Sequence, residues 1–296
     1  MREYVVKFEE VEFLSENTCL RGRLYLPERE GPVPAVVMAP GFGGLIQHSA
    51  MHFAQAFAGA GLAALVYDNP CFGRSDGEPR QEVDPVRQRR AYRDAISYVQ
   101  RRREVNADRI GVWGSSYSGG HVLEIAAYDR RIKCVVAQVP TISGSAQSIR
   151  RFSGQTRADM QKRFHADRDA RQRGLEPERM PLVSNNPSQP AYFNSRVAYD
   201  YYMIDGFVNE ITLRSVELNW ENEPAVHISR ISPTPLLMIV ADNDEATPTE
   251  LALTAYEQAL QPKELVLLPG GHFSPYQEHF ERTRELAAAF FRKHLG

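Results

Sequence analysis

The sequence predicts an α/β chain built on a mostly parallel β-sheet with helices on both faces, and three observations lead there. Short, wholly apolar runs recur along the chain, as expected of strands buried on both sides of a sheet. Helix-compatible segments lie between most of them, the alternation that produces parallel crossover connections. One long stretch, from about residue 144 to 232, carries no such run and interrupts the pattern. At 296 residues the chain is long enough for one large core plus an insertion.

The elements follow in order. Val5–Phe8 and Val11–Phe13 read as strand and Arg21–Leu26 as a second strand, with a turn at Glu30–Pro34 after it. Ala35–Ala39 (AVVMA) is the first continuous apolar run. Ala63–Tyr67, Ile110–Trp113, Cys134–Val139, Leu236–Val240 and Leu265–Leu268 repeat its character. Helices are expected at His48–Ala60, which ends at Gly61, and at Pro85–Gln100, which opens on a proline. Further helices are expected at Ser116–Ala127, Thr249–Leu260 and Gln277–His294. The core is therefore expected to comprise residues 1–143 and 233–296. Residues 144–232 are expected to form a mainly helical cap inserted after the sixth core strand, since a structureless loop of that length is implausible.

Composition narrows the function classes. Net charge is −2, with 43% hydrophobic and 24% charged residues, so neither nucleic acid nor an anionic membrane is expected as a partner. The opening MREYVVKFEE lacks the apolar run of a signal peptide, and no stretch of eighteen apolar residues exists. Three cysteines, Cys19, Cys71 and Cys134, are too few and too scattered for a disulfide framework or a metal knuckle. A cytoplasmic setting, no cofactor and no metal are expected, with a homo-oligomer left open.

The stretch RIGVWGSSYSGGHVLEIAA carries the first chemistry. An apolar strand runs into a Gly- and Ser-rich turn and then a helix, the layout that lifts one nucleophile above the carboxyl end of a sheet. Small residues two before and two after the nucleophile relieve crowding, and Gly114 and Ser118 flank Ser116 in that way. Ser118 replaces the second glycine of the usual G-x-S-x-G. Choosing Ser115 instead would put Trp113 and Tyr117 where small residues are needed. The bland reading is a tight turn without chemistry.

A serine needs a base, and the base needs a carboxylate to orient it. The order expected on this layout is serine, acid, histidine. PLLMIVADNDEATP places Asp242 and Asp244 in a loop just past a buried strand. Asp244 is preferred, four residues before Pro248, and Asp242 is second; a solvated Asp-rich turn is the alternative. ELVLLPGGHFSPY places His272 after the last strand and a Gly-Gly pair. The other seven histidines follow no core strand, and His121, five residues after Ser116, is expected to pack or cap locally. The developing oxyanion needs two preorganised N–H donors. Tyr117 N–H should supply one, and Phe42 N–H the other, with Gly43 second, from the loop Pro40-Gly41-Phe42-Gly43-Gly44. Glycines there admit close approach of substrate, so Gly41 and Gly43 are expected to touch it. A phosphate cradle is disfavoured, because neither G-x-G-x-x-G nor a Walker lysine is present.

With these residues in hand, the chain resembles the α/β-hydrolase superfamily, in the branch of dienelactone-hydrolase-like and acetyl-esterase-like enzymes, and is similar to fungal polyketide transferases. VEFLSENTCLRGRLYLPE, APGFGG, LVYDNPCFGRSDGEPR, VWGSSYSGGH, MIVADNDEATP and PGGHFSPY carry the likeness, which spans roughly residues 5–140 and 233–296. In LVYDNPCFGRSDG, Asp68 and Gly73 are expected to hold loop geometry; Asn69, Pro70 and Cys71 depart from the usual residues there. The resemblance implies a Ser116–His272–Asp244 triad acting through an acyl-enzyme on an ester or thioester of a small organic acid. The same triad could serve acyl transfer or C–C bond hydrolysis, and a binding protein without activity is the reading from another class. In the cap, Tyr192, Tyr199, Tyr201, Tyr202 and Trp220 could wall the substrate pocket or merely pack helices. The eight arginines of residues 150–179, against five acids, could meet an acidic substrate or form a solvated helix face.

Overall fold

The computed structural model describes residues 6–152, 154–186 and 188–296. Strands β1 (Phe8–Ser15) and β2 (Thr18–Tyr25) form an antiparallel hairpin. Its turn is made by Glu16 and Asn17, both at positive φ. The expected start of the first strand at Val5 lies outside the described residues. β1 alternates exposed glutamates with buried Val11, Phe13 and Ser15, the period of a half-buried strand.

Six strands then run parallel: β3 (Val33–Ala39), β4 (Ala63–Tyr67), β5 (Val105–Ser115), β6 (Ile132–Gln138), β7 (Leu236–Ala241) and β8 (Lys263–Leu268). The sheet order is β1-β2-β4-β3-β5-β6-β7-β8, with β2 antiparallel to β4. The chain thus starts at one edge with β1 and β2, enters the middle at β3, steps back to β4, and then passes β3 to continue the other way. That reversal puts the ends of β3 and β5 side by side, where open α/β sheets bind ligands.

Helices cover both faces. α1 (Ala50–Gly59) and the last helix of the chain, Phe280–Leu295, bury Phe53, Phe57 and Phe291 against Trp113 on one face. α2 (Pro85–Gln100) and α3 (Tyr117–Ala126) bury Ala91, Ile96, Val99, Val122 and Leu123 on the other, with Thr249–Gln258 beside them. α2 begins where Asp84 accepts the N–H groups of Val86 and Arg87, with Pro85 at the first helical position. A side-chain cap and a pre-set φ together define its start.

Between β6 and β7 the chain leaves the sheet. It forms α4 (Gly144–Arg151), α5 (Gly154–Gln172), α6 (Arg196–Tyr202) and α7 (Leu213–Trp220). Two short strand pairs join them, Ile211–Thr212 with Arg179–Met180 and Val183–Ser184 with Phe193–Asn194. This segment has its own apolar cluster, which includes Phe152, Phe164, Leu182, Tyr192 and Tyr202. The cluster closes over Phe42 and Tyr117 of the core. Among the described residues, no helix is long and apolar enough to cross a membrane.

Candidate active site

β5 ends at Ser115 and α3 starts at Tyr117, leaving Ser116 alone at the junction with φ 58° and ψ −117°. A non-glycine residue at that φ is strained, and its neighbours explain what holds it. A Cβ on Gly114 would lie 2.1 Å from the Ser118 carbonyl oxygen, and one on Gly119 would lie 2.9 Å from Pro140 Cα. The turn is therefore too tight for larger residues at those points. Ser118, in the place of the usual glycine, is fully buried. Its hydroxyl accepts the Ser115 N–H at 2.8 Å and lies 2.9 Å from the Ser115 carbonyl. The variant residue thus ties the turn to itself.

His272 follows β8 through Gly270, at φ 102°, and Gly271. Its Nε2 lies 2.9 Å from Ser116 Oγ and its Nδ1 2.7 Å from Asp244 Oδ2. The chain of contacts assigns the proton: Nδ1–H donates to the carboxylate, leaving Nε2 to accept from the serine. Asp244 is fastened in turn. Its Oδ1 accepts the N–H groups of Ala246, at 2.9 Å, and Thr247, at 2.7 Å. Thr247 Oγ1 sits 2.8 Å from Asp244 Oδ2, 3.2 Å from His272 Nδ1 and 3.0 Å from the Val139 carbonyl. Asp242 does something else: it is exposed and accepts the Gly270 N–H at 2.9 Å. It therefore braces the loop that carries His272, while Asp244 makes the histidine contact.

The loop after β3 runs beside Ser116. A Cβ on Gly41 would lie 3.2 Å from Ser116 Cβ and 3.6 Å from Tyr117 N, so glycine is what lets these two backbones approach. Among the described residues, neither Phe42 N–H nor Tyr117 N–H donates to a protein acceptor. Tyr117 is at the first turn of α3, where amide groups have no intrahelical partner. The Phe42 carbonyl accepts the Tyr202 hydroxyl at 2.8 Å, and the Phe42 ring stacks on Tyr192 at 4.5 Å and meets Tyr117 edge-on at 5.0 Å. The inserted segment thus clamps the loop. Asp68 supports it from beneath, accepting the N–H groups of Ile46 and Arg74. A Cβ on Gly73 would strike Asp68 Oδ2 at 2.3 Å. Cys71 is buried, with Arg87 donating to its Sγ at 3.3 Å.

Two cavities adjoin His272. A chamber of about 20 Å³ lies at Ser116, bounded by Gly41, His48, Tyr201, Tyr202, Phe273 and Tyr276 among others. It has room for about one water. Hydroxyls line it in pairs, with Ser49 Oγ 2.7 Å from Tyr201 Oη and Ser115 Oγ 2.6 Å from Tyr276 Oη. Burial pushes the phenols of Tyr201, Tyr202 and Tyr276 up, so all three stay protonated donors at neutral pH. Burial holds His48 below its ordinary value, and so neutral. It accepts the Leu45 N–H at Nδ1 and donates from Nε2 to the Tyr202 carbonyl. A wider cavity of about 920 Å³ lies outside, between α4, α5, the start of α6 and the loops of Asp244 and His272. His272 and Phe273 line both cavities.

Some expected substrate contacts fall elsewhere. Gly43, at φ 65°, lines neither cavity; a Cβ there would lie 2.8 Å from Leu182, so it is the cap leucine that rests on it. Trp220 lines neither cavity and packs edge-on to Phe164 at 4.9 Å, with the Arg157 guanidinium 4.2 Å over its face. Tyr199 also packs into the cap's apolar cluster rather than facing either cavity. Trp220 and Tyr199 pack within the inserted segment, and Gly43 lies where that segment meets the loop after β3. Tyr201 and Tyr202 do reach the Ser116 chamber, and Tyr192 lines the wide cavity. His121 is buried and held well below its ordinary value by burial, with Nε2 2.9 Å from Gln88 Oε1. Thr247, His48, Ser49 and Tyr276 escaped the sequence reading, since isolated hydroxyls and a lone loop histidine carry no spacing signal.

Comparison with known proteins identifies the family and the fold. The family model described as X-Pro dipeptidyl-peptidase (S15 family) matches residues 16–274. Acyltransferase drtE of Aspergillus calidoustus is 33% identical over 274 residues, covering 88% of this chain and 85% of its own length. Thiohydrolase aneE of Aspergillus aculeatus is 30% identical over 279 residues, 87% of this chain and 84% of the other. Polyketide transferase grgF of a Penicillium species is 30% identical over 97% of both chains, which bears out the expected likeness to polyketide transferases. The crystal structure of the α/β hydrolase GrgF from Penicillium sp. sh18 superposes with a TM-score of 0.85 at 28% identity, over 98% of this chain and 99% of that one. The chain belongs to the X-Pro dipeptidyl-peptidase (S15) family and is an α/β-hydrolase-fold enzyme of the hydrolase and acyltransferase kind.

Proposed function

We propose that the protein cleaves an ester or thioester of a small organic acid through an acyl-enzyme on Ser116. One observation carries this reading: the unbroken hydrogen-bonded chain Ser116–His272–Asp244, with the serine held at positive φ on the strand-to-helix turn. In the first step Ser116 Oγ bonds to the acyl carbon while its proton passes to His272 Nε2. The carbonyl oxygen takes the electron pair and meets the N–H groups of Phe42 and Tyr117. The tetrahedral adduct collapses, and the alkoxide or thiolate that leaves takes the proton from His272, which returns the imidazole to its neutral form. Water, deprotonated by His272, then releases the acid. Asp244 stabilises the imidazolium throughout.

A second reading has its own support. An alcohol or amine could replace water in the second half, as the name of the drtE relative suggests. We read residues 144–232 as the lid that selects the substrate, and the cytoplasm as the site of reaction, supported by three cysteines that are all free. The partner is a small-molecule acyl substrate.

Covalent labelling with a fluorophosphonate, read by intact mass, tests the assignment. A single adduct on the wild type that is lost in Ser116→Ala is expected. An adduct that persists in the variant, or no adduct on a wild type whose cap residues have been trimmed, would refute it.

A further inference from the structure

Five of the eight arginines of residues 150–179 pair with carboxylates in the folded chain, and three have none among the described residues. Arg150 pairs with Glu250, Arg163 with Glu178, Arg168 with Glu217, Arg171 with Asp167, and Arg179 with Glu210. Arg157 donates to Ser148 and lies over Trp220. Arg173 is exposed. Arg151 is half-buried and has no carboxylate within salt-bridge distance among the described residues. Its guanidinium carbon lies 4.3 Å from the Tyr192 ring centre and 4.7 Å from that of Phe193, and it lines the same wide cavity as His272. Two aromatic rings, set at 78° to one another, flank this cation, and the neighbouring walls are Phe152, Met160 and Met180.

We infer that the wide cavity takes acyl substrates bearing an anionic group, and that Arg151 binds that group; the inference rests on the acyl-cleavage reading above. A guanidinium held against aromatic rings presents its fork with less entropy left to lose and suits the paired oxygens of a carboxylate or phosphate. The apolar walls raise the worth of that contact over its worth in water. The other half-buried cation of the cavity, Arg163, is already neutralised by two bonds to Glu178. The cavity's acids, Asp159, Glu245 and Glu278, are exposed residues. Solvent screens exposed carboxylates, which leaves Arg151 as the half-buried arginine of the lining without a carboxylate partner among the described residues. Two sources of the anion share this chemistry: a carboxylate at the far end of the acyl chain, and a phosphate on the leaving group of a thioester.

Paired substrates separate them. One pair is an aryl hemi-ester of a dicarboxylic acid and the same ester with its free carboxylate methylated. The other is an acyl-phosphopantetheine and the matching acyl-pantetheine. The readout is the ratio of kcat/KM within each pair. The wild type should favour the anionic member of one pair by roughly ten- to hundredfold, the usual range for a hydrogen bond to a charged group, and that pair identifies the source. Arg151→Gln should bring the ratio close to unity, and Arg151→Lys should keep part of it. Arg157→Gln, which removes a cation outside the cavity, should keep all of it. A wild type indifferent to both anions overturns the inference, and so does Arg151→Gln with its preference intact. Should Arg151→Gln not fold, the wild-type ratios and Arg151→Lys decide. Calorimetry of the free diacid and of phosphopantetheine on Ser116→Ala protein gives a readout that needs no turnover. Binding of at least one of them, weakened by the same factor when Arg151→Gln is added, is expected even if no substrate is hydrolysed, and absence of binding for both overturns the inference.

Discussion

Replacing Asp244 by Asn should nearly abolish turnover while leaving the fold intact. Asparagine keeps the oxygen that accepts the Ala246 and Thr247 N–H groups, so the loop keeps its shape. The amide nitrogen then takes the place of Oδ2, 2.7 Å from His272 Nδ1. An N–H cannot accept from an N–H, so the imidazole must carry its proton on Nε2, where it faces Ser116 and cannot take the serine's. Two losses combine. The wrong tautomer removes the base, and the imidazolium loses a carboxylate that is only 6% exposed beside a histidine only 8% exposed. A charge pair at that depth is worth about 4 kcal/mol at an effective dielectric near 20, which is about a thousandfold in rate. With the tautomer included, a fall in kcat of about 10³ to 10⁴ is expected, the range seen for this substitution in other serine triads. Asp242→Asn is the matched control, since it retains an oxygen for the Gly270 N–H and should cost less than about threefold, as exposed polar changes usually do. Both variants would be assayed by aryl-ester hydrolysis and by the rate of fluorophosphonate labelling, with thermal melts to check folding. Equal losses at the two positions, or an Asp244→Asn enzyme with more than a tenth of wild-type kcat, would refute the reasoning.

Two further outcomes follow from the same contacts. Tyr202→Phe removes the hydroxyl that donates to the Phe42 carbonyl at 2.8 Å; the unsatisfied carbonyl should cost about 1–3 kcal/mol in melting experiments and lower kcat more than it raises KM, whereas a pure packing role would leave kcat alone. Acid should weaken the fold in a definite window, because burial holds His48 and His121 below the ordinary imidazole value of 6.5. The unfolded chain binds more protons there, so their contribution is present above pH 6.5 and is lost as pH falls toward the depressed folded values. Chemical denaturation from pH 8 to 5 should show that slope, and His121→Gln should flatten it; an unchanged slope would remove the buried histidines from the account.

Strand identity was legible wherever the chain is buried on both faces. Ala63–Tyr67 is apolar at every position and is a strand over that same range. Pro85–Gln100, marked by its opening proline, is a helix over its full expected span. Boundaries moved where local signals are weak: β5 begins at Val105, five residues before its apolar run, because the residues between, Asn106–Arg109, are outside the core and three of the four are polar. The Ser116, Asp244 and His272 positions were legible because each follows a core strand at its carboxyl end, and those ends converge in any sheet of this winding. The cap was not legible in the same way. Its aromatics repeat no period, so Trp220 and Tyr201 look alike in sequence, yet one packs against Phe164 and the other faces the chamber at Ser116.

By itself, then, the sequence determined the layer architecture, the placing of Ser116, Asp244 and His272 in that order after core strands, and the glycines at the elbow. These depend on local propensity and on chain order, which a single segment carries. The choice between Asp242 and Asp244 as partner of His272 was decided only in three dimensions, by whether each carboxylate reaches Gly270 N or His272 Nδ1. So was the fate of the arginines, since pairing depends on which acid lies within a few ångströms across the fold. Arg163 and Arg151 sit on the same stretch of chain, but only one meets a glutamate, and the other is left to face the cavity beside His272. Distances across a fold are set by packing of segments far apart in sequence, and no window of neighbouring residues contains them.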